Sequence, residues 1–370
     1  MKRNIHLLLA VATASSIQAT DRVVSPNGTY NTISSAIVAS SDGDRILIEP
    51  GNYPERIAVS KSISFLPAQE GGRYTIESFR LDGADGKVVH VNGVRVIDNV
   101  VDVGTYTVRS SFSMVDSYAR SVALYNPYIH VEMYRDTILT TLLFSSGRVI
   151  GCTIPSIPGT PAVISVDGSS LLPDDLYMIG NIIGAGNSAA VTITGDQLFH
   201  VENNFIRTVV GAGLSINRTA NLYTPHSTVI NNTFYKPNGT GTVAVNNATS
   251  QQFHLLVANN ASINFPSGVI EGFAGWSQLV QTHNLYAASS WINTVTGETL
   301  MGSPLINAGD PDPRYLDLDL TTNDVGCYGG SNSRANFITP MGSAVVGFMN
   351  APRVISQGDA VNISATGFDR

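Results

Sequence analysis

Val229-Ile230-Asn231-Asn232-Thr233-Phe234 is the stretch on which the reading of this chain turns. Apolar residues flank a polar bend, and the pattern recurs as Met178-Ile179-Gly180-Asn181-Ile182-Ile183, Val201-Glu202-Asn203-Asn204-Phe205-Ile206 and Val257-Ala258-Asn259-Asn260-Ala261-Ser262-Ile263. Weaker members are Arg135-Asp136-Thr137-Ile138, Gly151-Cys152-Thr153-Ile154 and His283-Asn284-Leu285-Tyr286. From Asp136 through Cys152, Asn181, Asn204, Asn232 and Asn260 to Asn284 the steps are 16, 29, 23, 28, 28 and 24 residues. Such steps suit one turn of a solenoid with loops of unequal size. Asparagine tolerates the left-handed conformation of a sharp bend, and its amide can bond its own backbone and a neighbour above or below. Asn181, Asn204, Asn232, Asn260 and Asn284 are therefore expected to form a ladder along one edge. The flanking apolar residues would point inward, so that each turn buries its core only because the next one covers it. Cys152 is read as a small buried apolar filler in this row.

The rest of the chain agrees. Short β-rich runs such as Arg45–Ile48, Val88–Val91, Ala162–Val166 and Ala190–Ile193 are separated by Gly, Asn, Asp and Ser clusters, with no helical period after residue 40. The fold class is all-β, a right-handed parallel β-helix with a short N-terminal capping helix. That helix is expected over Thr32 to Ser40: Ile33, Ala36 and Ile37 fall at i, i+3 and i+4, Thr32 is the N-cap and Gly43 the stop. Residues 1–19 read as an export signal, with basic Lys2 and Arg3, apolar Ile5 to Ala14 and small residues up to Ala19. That apolar stretch is too short to span a bilayer, and no later segment resembles a transmembrane helix. Residues 20–330 form the solenoid. Residues 331–370, with strands expected at Ala344–Phe348, Arg353–Ile355 and Val361–Ala365, read as a short C-terminal β appendage or truncated module. Charged residues are 13% of the chain and the net charge is −7, which offers nucleic acid no electrostatic footprint. Cys152 and Cys327 are placed at different levels, so no bridge between them is expected. A secreted or cell-surface monomer is the expectation.

Two motifs carry a resemblance. Thr32-Ile33, Ala36-Ile37, Gly43-Asp44-Arg45-Ile46-Leu47-Ile48, Pro50-Gly51-Asn52-Tyr53 and Glu55 resemble the opening of secreted bacterial parallel β-helix proteins of the pectin-lyase-like superfamily. Ser303-Pro304-Leu305-Ile306-Asn307-Ala308-Gly309-Asp310, followed by Asp317-Leu318-Asp319 and Asn323 to Gly330, resembles the segment that closes many such solenoids. The resemblance implies architecture; the superfamily hosts lyases, hydrolases, esterases and proteins without a reaction, so chemistry has to be sought in residues.

No catalytic set emerges, and the catalytic residues stay unassigned. Elimination from a uronic acid needs an Arg or Lys base beside a cation, and the basic residues from Arg80 to Arg135 have no acidic cluster next to them. Glycoside hydrolysis needs converging carboxylates, for which Asp116, Glu132 and Asp136 are the mid-chain candidates. Ser121 to Leu124 and Arg135 to Ile138 resemble pectin methylesterase motifs, but Arg135 and Thr141 stand where that family has its catalytic Gln and nucleophilic Asp. His90, His130, His200, His226, His254 and His283 lack metal-pair spacing in sequence. Two features remain. Tyr106, Tyr118, Tyr125, Tyr128 and Tyr134, interleaved with Arg120 and Arg135, could lie against sugar rings on a flat face. Asp317, Asp319 and Asp324 could hold Ca2+, or else cap turns and accept backbone amides. The expected partner is a polysaccharide, bound without a recognisable catalytic site; the alternative is a polysaccharide lyase or glycoside hydrolase acting around residues 106–136.

Overall fold

The structure is a computed structural model that describes residues 19–155, 164–168, 175–185, 189–219, 222–239, 243–249, 251–265, 269–271, 273, 278–337, 344–350 and 360–369. All but the last residue of the expected export signal, and the expected strand Arg353–Ile355, lie outside these. No helix among the described residues is long and apolar enough to cross a membrane.

The chain winds as a right-handed parallel β-helix. A sheet of 12 strands forms one side and a sheet of 16 strands the remainder, and every strand of both pairs with counterparts one turn before or after. Strand Ile129–Tyr134, for instance, lies between Ser110–Val115 and Ser146–Ile150 in parallel register. In the early turns a single long strand rounds a corner, and its pairing register slips at the bend, as between Ile76 and Phe79. After Phe144 this strand divides. Thr137 pairs with Thr153, whereas Leu142–Phe144 pair with Ile164–Val166, and later turns carry two separate strands such as Phe205–Thr208 and Leu214–Asn217.

Alternation decides what is inside. In the strand Ile129–Tyr134 the side chains of Ile129, Val131 and Met133 stack into the interior on Phe112, Met114 and Val149. Edge-on contacts such as Phe65 with Phe79 fill the wider levels. The N-terminal end is covered by the helix Ile33–Ala39, which buries Ile33, Ala36 and Ile37. Thr32 Oγ1 accepts from Ser35 N, and the Glu55 carboxylate accepts from Ile33 N and Ser34 N. The helix stops earlier than Gly43. Lys61 Nζ donates to the carbonyls of Ile37, Val38 and Ser40, satisfying the terminal acceptors, and Gly43 with φ +93° belongs to the next turn.

The ladder asparagines line one edge, fully buried apart from Asn284. Asn204 Oδ1 accepts from Asn181 N and Nδ2, Asn232 Oδ1 from Asn204, Asn260 Oδ1 from Asn232, and Asn284 Oδ1 from Asn260. Cys152 N donates to Asn181 Oδ1, which extends the row by one rung. The left-handed residue is a different one from that expected. Arg135, Gly151, Gly180, Asn203, Asn231, Asn259 and His283, each directly before a rung, have φ between +49° and +67°. Of each Asn-Asn pair, then, the first makes the bend and the second makes the ladder.

The first asparagines also hold the close. Residues 288–330, which include no β-strand, pack against the second sheet through Leu305, Val325 and Cys327, over Phe205, Ala261 and Ile263. Asn203 Nδ2 donates to Gly329 O at 2.6 Å, Asn231 Nδ2 to the same carbonyl at 3.2 Å, and Asn259 Oδ1 accepts from Asp310 N. Cys152 and Cys327 are both free and buried. Beyond Phe337 the described residues form two antiparallel strands, Ala344–Asn350 and Ser364–Asp369. Val361 to Ile363, expected as part of a strand, precede the second one without regular structure.

Candidate functional site

The outer surface of the twelve-stranded sheet carries three rows set by the ladder. Two positions before each rung the row is largely apolar: Val115, Tyr134, Ile150 and Ile179, then Ile230 and Ala258. Four positions before, it runs His90, Ser113, Glu132, Arg148, Tyr177, His200, Thr228, Leu256 and Val280, abreast by strand register. Six positions before, it includes His130, Asp175, His226 and His254.

From Glu132 to Thr228 the middle row is linked by polar and ring contacts. His90 Nδ1 meets Ser113 Oγ at 2.7 Å. Glu132 Oε1 pairs with Arg148 at 3.1 Å and with His130 Nε2 at 3.2 Å. The Arg148 guanidinium lies 6.0 Å from the Tyr177 ring, and Tyr177 stacks on His200 at 4.6 Å. His200 Nε2 is 3.4 Å from Asp175 Oδ2, His200 Nδ1 is 2.9 Å from Thr228 Oγ1, and Thr228 Oγ1 donates to Glu202 Oε1 at 3.2 Å. With the Thr228 proton directed at Glu202, the hydroxyl is an acceptor toward His200, and His200 links Asp175 to Thr228. Burial pushes the Tyr177 phenol up, aided by Asp175 and Glu202.

The C-terminal strands lie over this row. Phe348 sits 4.2 Å from the Arg148 guanidinium and 5.2 Å from Tyr177, Arg148 Nη1 donates to Thr366 Oγ1, and Asn332 Nδ2 donates to Glu202 Oε2. Beneath them a cavity of about 410 Å3 opens between Tyr134, Arg135, Ile150 and Ile179 on the sheet and Phe337 and Phe348 on the strap.

The expected tyrosine platform is not assembled. Tyr106 is 3% exposed in the core, its hydroxyl donating to Leu81 O, because its position falls on an inward-facing site. Burial there pushes its phenol up to about 12. Tyr134 points outward but is 3% exposed, covered by Phe337 and Phe348. Tyr118 is half-buried under Arg95, Tyr128 packs against the core, and Tyr125 at 61% is the one exposed member. Arg120 is exposed, whereas Arg135 forms a two-pronged pair with Asp116 at 2.6 and 2.8 Å.

The three candidate acids diverge as well. Asp116 is held by Arg135 at the bend, Glu132 faces outward on the sheet, and Asp136 is sealed in the ladder, where it accepts from Ser117 N and Tyr134 N. Desolvation drives the Asp136 carboxyl far above its ordinary value. At the close, Asp317 accepts from Asp324 N and Gly330 N, Asp324 from Asn307 N, and Asp319 from Thr321. Backbone amides therefore already occupy lone pairs a cation would use. Burial raises both the Asp317 and the Asp324 carboxyl above the ordinary carboxylate value.

Sequence reasoning passed over Arg148, Tyr177 and Thr228, and dismissed His200 as isolated. The signal was present. Glu132, Arg148, Tyr177, His200 and Thr228 are separated by 16, 29, 23 and 28 residues, the same steps as the ladder, so any residue four before a rung belongs to one row.

The fold is a parallel β-helix. Among solved structures, the crystal structure of a pectate lyase is similar, with a TM-score of 0.59 over 84% of this chain and 97% of that one, at 17% sequence identity. An identity that low speaks for the fold alone. No protein-family profile and no curated protein matches the chain.

Proposed function

We propose that the chain acts outside the cell by binding a polysaccharide of neutral sugars along the polar row of the twelve-stranded sheet. The observation that carries this reading is the unbroken row from Glu132 to Thr228. Strands spaced by roughly 4.8 Å present one side chain per turn, and an extended sugar chain laid across them meets a new partner at each step. Once the overlying C-terminal strands are displaced, Glu132, Asp175 and Glu202 would accept from hydroxyls and Arg148 would donate, and the edges of the mutually stacked Tyr177 and His200 rings would meet sugar C–H groups. Three carboxylates against one guanidinium repel a uronate, which favours a neutral ligand.

A second reading, catalysis on that polysaccharide, is favoured by an imidazole, His200, beside the Asp175 carboxylate on the same face. One experiment separates the two: retention on a panel of immobilised neutral and uronate-rich polysaccharides, with chain-end formation followed in parallel. Binding of a neutral glycan that weakens at least tenfold in Tyr177→Ala and yields no new ends supports the first. New ends that disappear in His200→Ala support the second. Retention on uronate-rich polymers alone would overturn the proposed ligand class.

A further inference from the structure

Six positions before the ladder, the outer row brings together two imidazoles that the polar row does not use. His226 and His254 sit side by side on neighbouring strands, since Ser227 pairs with Leu255, and their rings stack at 4.7 Å with 29° between planes. His226 Nε2 and His254 Nδ1 are 3.1 Å apart. From the pairing of Leu255 with Leu279, the next residue abreast is Gln278, whose Oε1 is buried and accepts no hydrogen bond among the described residues.

We propose that His226 and His254 form a binding site for a divalent transition-metal ion, completed by the Gln278 amide oxygen and water. Two nitrogens 3.1 Å apart subtend about 100° at an ion lying roughly 2.05 Å from each. That value falls between the right angle of octahedral or tetragonal sites and the tetrahedral angle, and imidazole suits zinc, copper and nickel. These two nitrogens share an N–H···N hydrogen bond, which a bound ion would replace. Because the rings stack, one of them has to turn out of the stack about χ2 for both lone pairs to meet at one ion, and His226 is exposed enough to do so. The pair Ser227 and Leu255 anchors both strands one residue from the imidazoles, while the register is irregular on the other side. Two imidazoles with an oxygen donor and solvent make an open site rather than a closed structural one.

The test is titration of the metal-stripped full chain with Zn2+ and separately with Ni2+, followed by calorimetry, with melting temperature as a second readout. One ion per chain is expected, with a rise in melting temperature by mass action on the folded state. His226→Gln and His254→Gln should each weaken binding at least tenfold, Gln278→Leu several-fold, and His90→Gln not at all. Circular dichroism checks that each variant retains its β structure. Absence of stoichiometric binding, or binding that survives in both histidine variants, would overturn the proposal, and neither result bears on the polysaccharide reading.

Discussion

Replacing Asn232 by leucine tests the ladder at its centre. The side chain is fully buried. Its Oδ1 accepts from Asn204 N at 3.0 Å and Asn204 Nδ2 at 2.9 Å, while its Nδ2 donates to Val201 O at 2.8 Å, Ile230 O at 3.1 Å and Asn260 Oδ1 at 3.0 Å. Leucine has comparable bulk and none of these groups. Some partners keep a second bond: Asn204 Nδ2 still reaches Met178 O, and Asn260 Oδ1 still accepts from the backbone of residue 232. The Asn204 backbone amide has no such alternative and becomes a buried orphan, at a cost of about 1–3 kcal/mol, to which the lost bonds of the two Nδ2 hydrogens add about 1 kcal/mol per hydrogen. Extra apolar burial by leucine offsets roughly 1 kcal/mol. The net loss should be about 2–4 kcal/mol. Guanidinium unfolding followed by circular dichroism should show the midpoint falling accordingly. Because a solenoid can unfold in stages, hydrogen exchange at residue 204 should localise the loss, with protection falling there first. An unchanged midpoint together with unchanged exchange at Asn204 would refute the reasoning.

Other outcomes follow from the same structure. Burial raises the Asp136 carboxyl well above its unfolded value of 3.8, so the folded state holds a proton that the unfolded state releases, and stability declines as pH rises from the unfolded value toward the folded one. Asp136→Asn should remove that decline, the gap between variant and wild type growing by roughly 1.4 kcal/mol per pH unit in this window; parallel denaturation midpoints across pH would count against it. The strands Ala344–Asn350 and Ser364–Asp369 form a two-stranded antiparallel pair, marginal by itself, that lies over Arg148 and Tyr177. Removing the residues after Phe337 should therefore strengthen glycan retention several-fold, and weaker retention would mean the pair belongs to the binding surface. Finally, with the oxygens of Asp317, Asp319 and Asp324 accepting amide and hydroxyl hydrogens, neither millimolar calcium nor a chelator should move the melting temperature. A rise with one and a fall with the other would return the acidic close to the metal reading.

What could be read in the sequence was what repeats or what is settled locally. The helix Ile33–Ala39 was legible because a Thr cap and an i, i+3, i+4 apolar stripe are local matters, while its end was misplaced because Lys61, 24 residues from Ile37, supplies the stop. Within Asn231-Asn232 either amide suits a bend, and the pattern alone does not say which one turns inward. The tyrosines between residues 106 and 134 failed for a deeper reason. In a coil, neighbours in sequence pass round different sides, and neighbours in space are one turn apart; density along the chain therefore says little about density on a face. The ladder supplies the missing coordinate. Subtracting four from Asp136, Cys152, Asn181, Asn204 and Asn232 gives Glu132, Arg148, Tyr177, His200 and Thr228, and subtracting six from Asn232, Asn260 and Asn284 gives His226, His254 and Gln278. Unequal loops hide both rows from any fixed period, yet the rung resets the count on every turn. The bend that makes the fold recognisable is thus also the origin from which its outward chemistry can be measured.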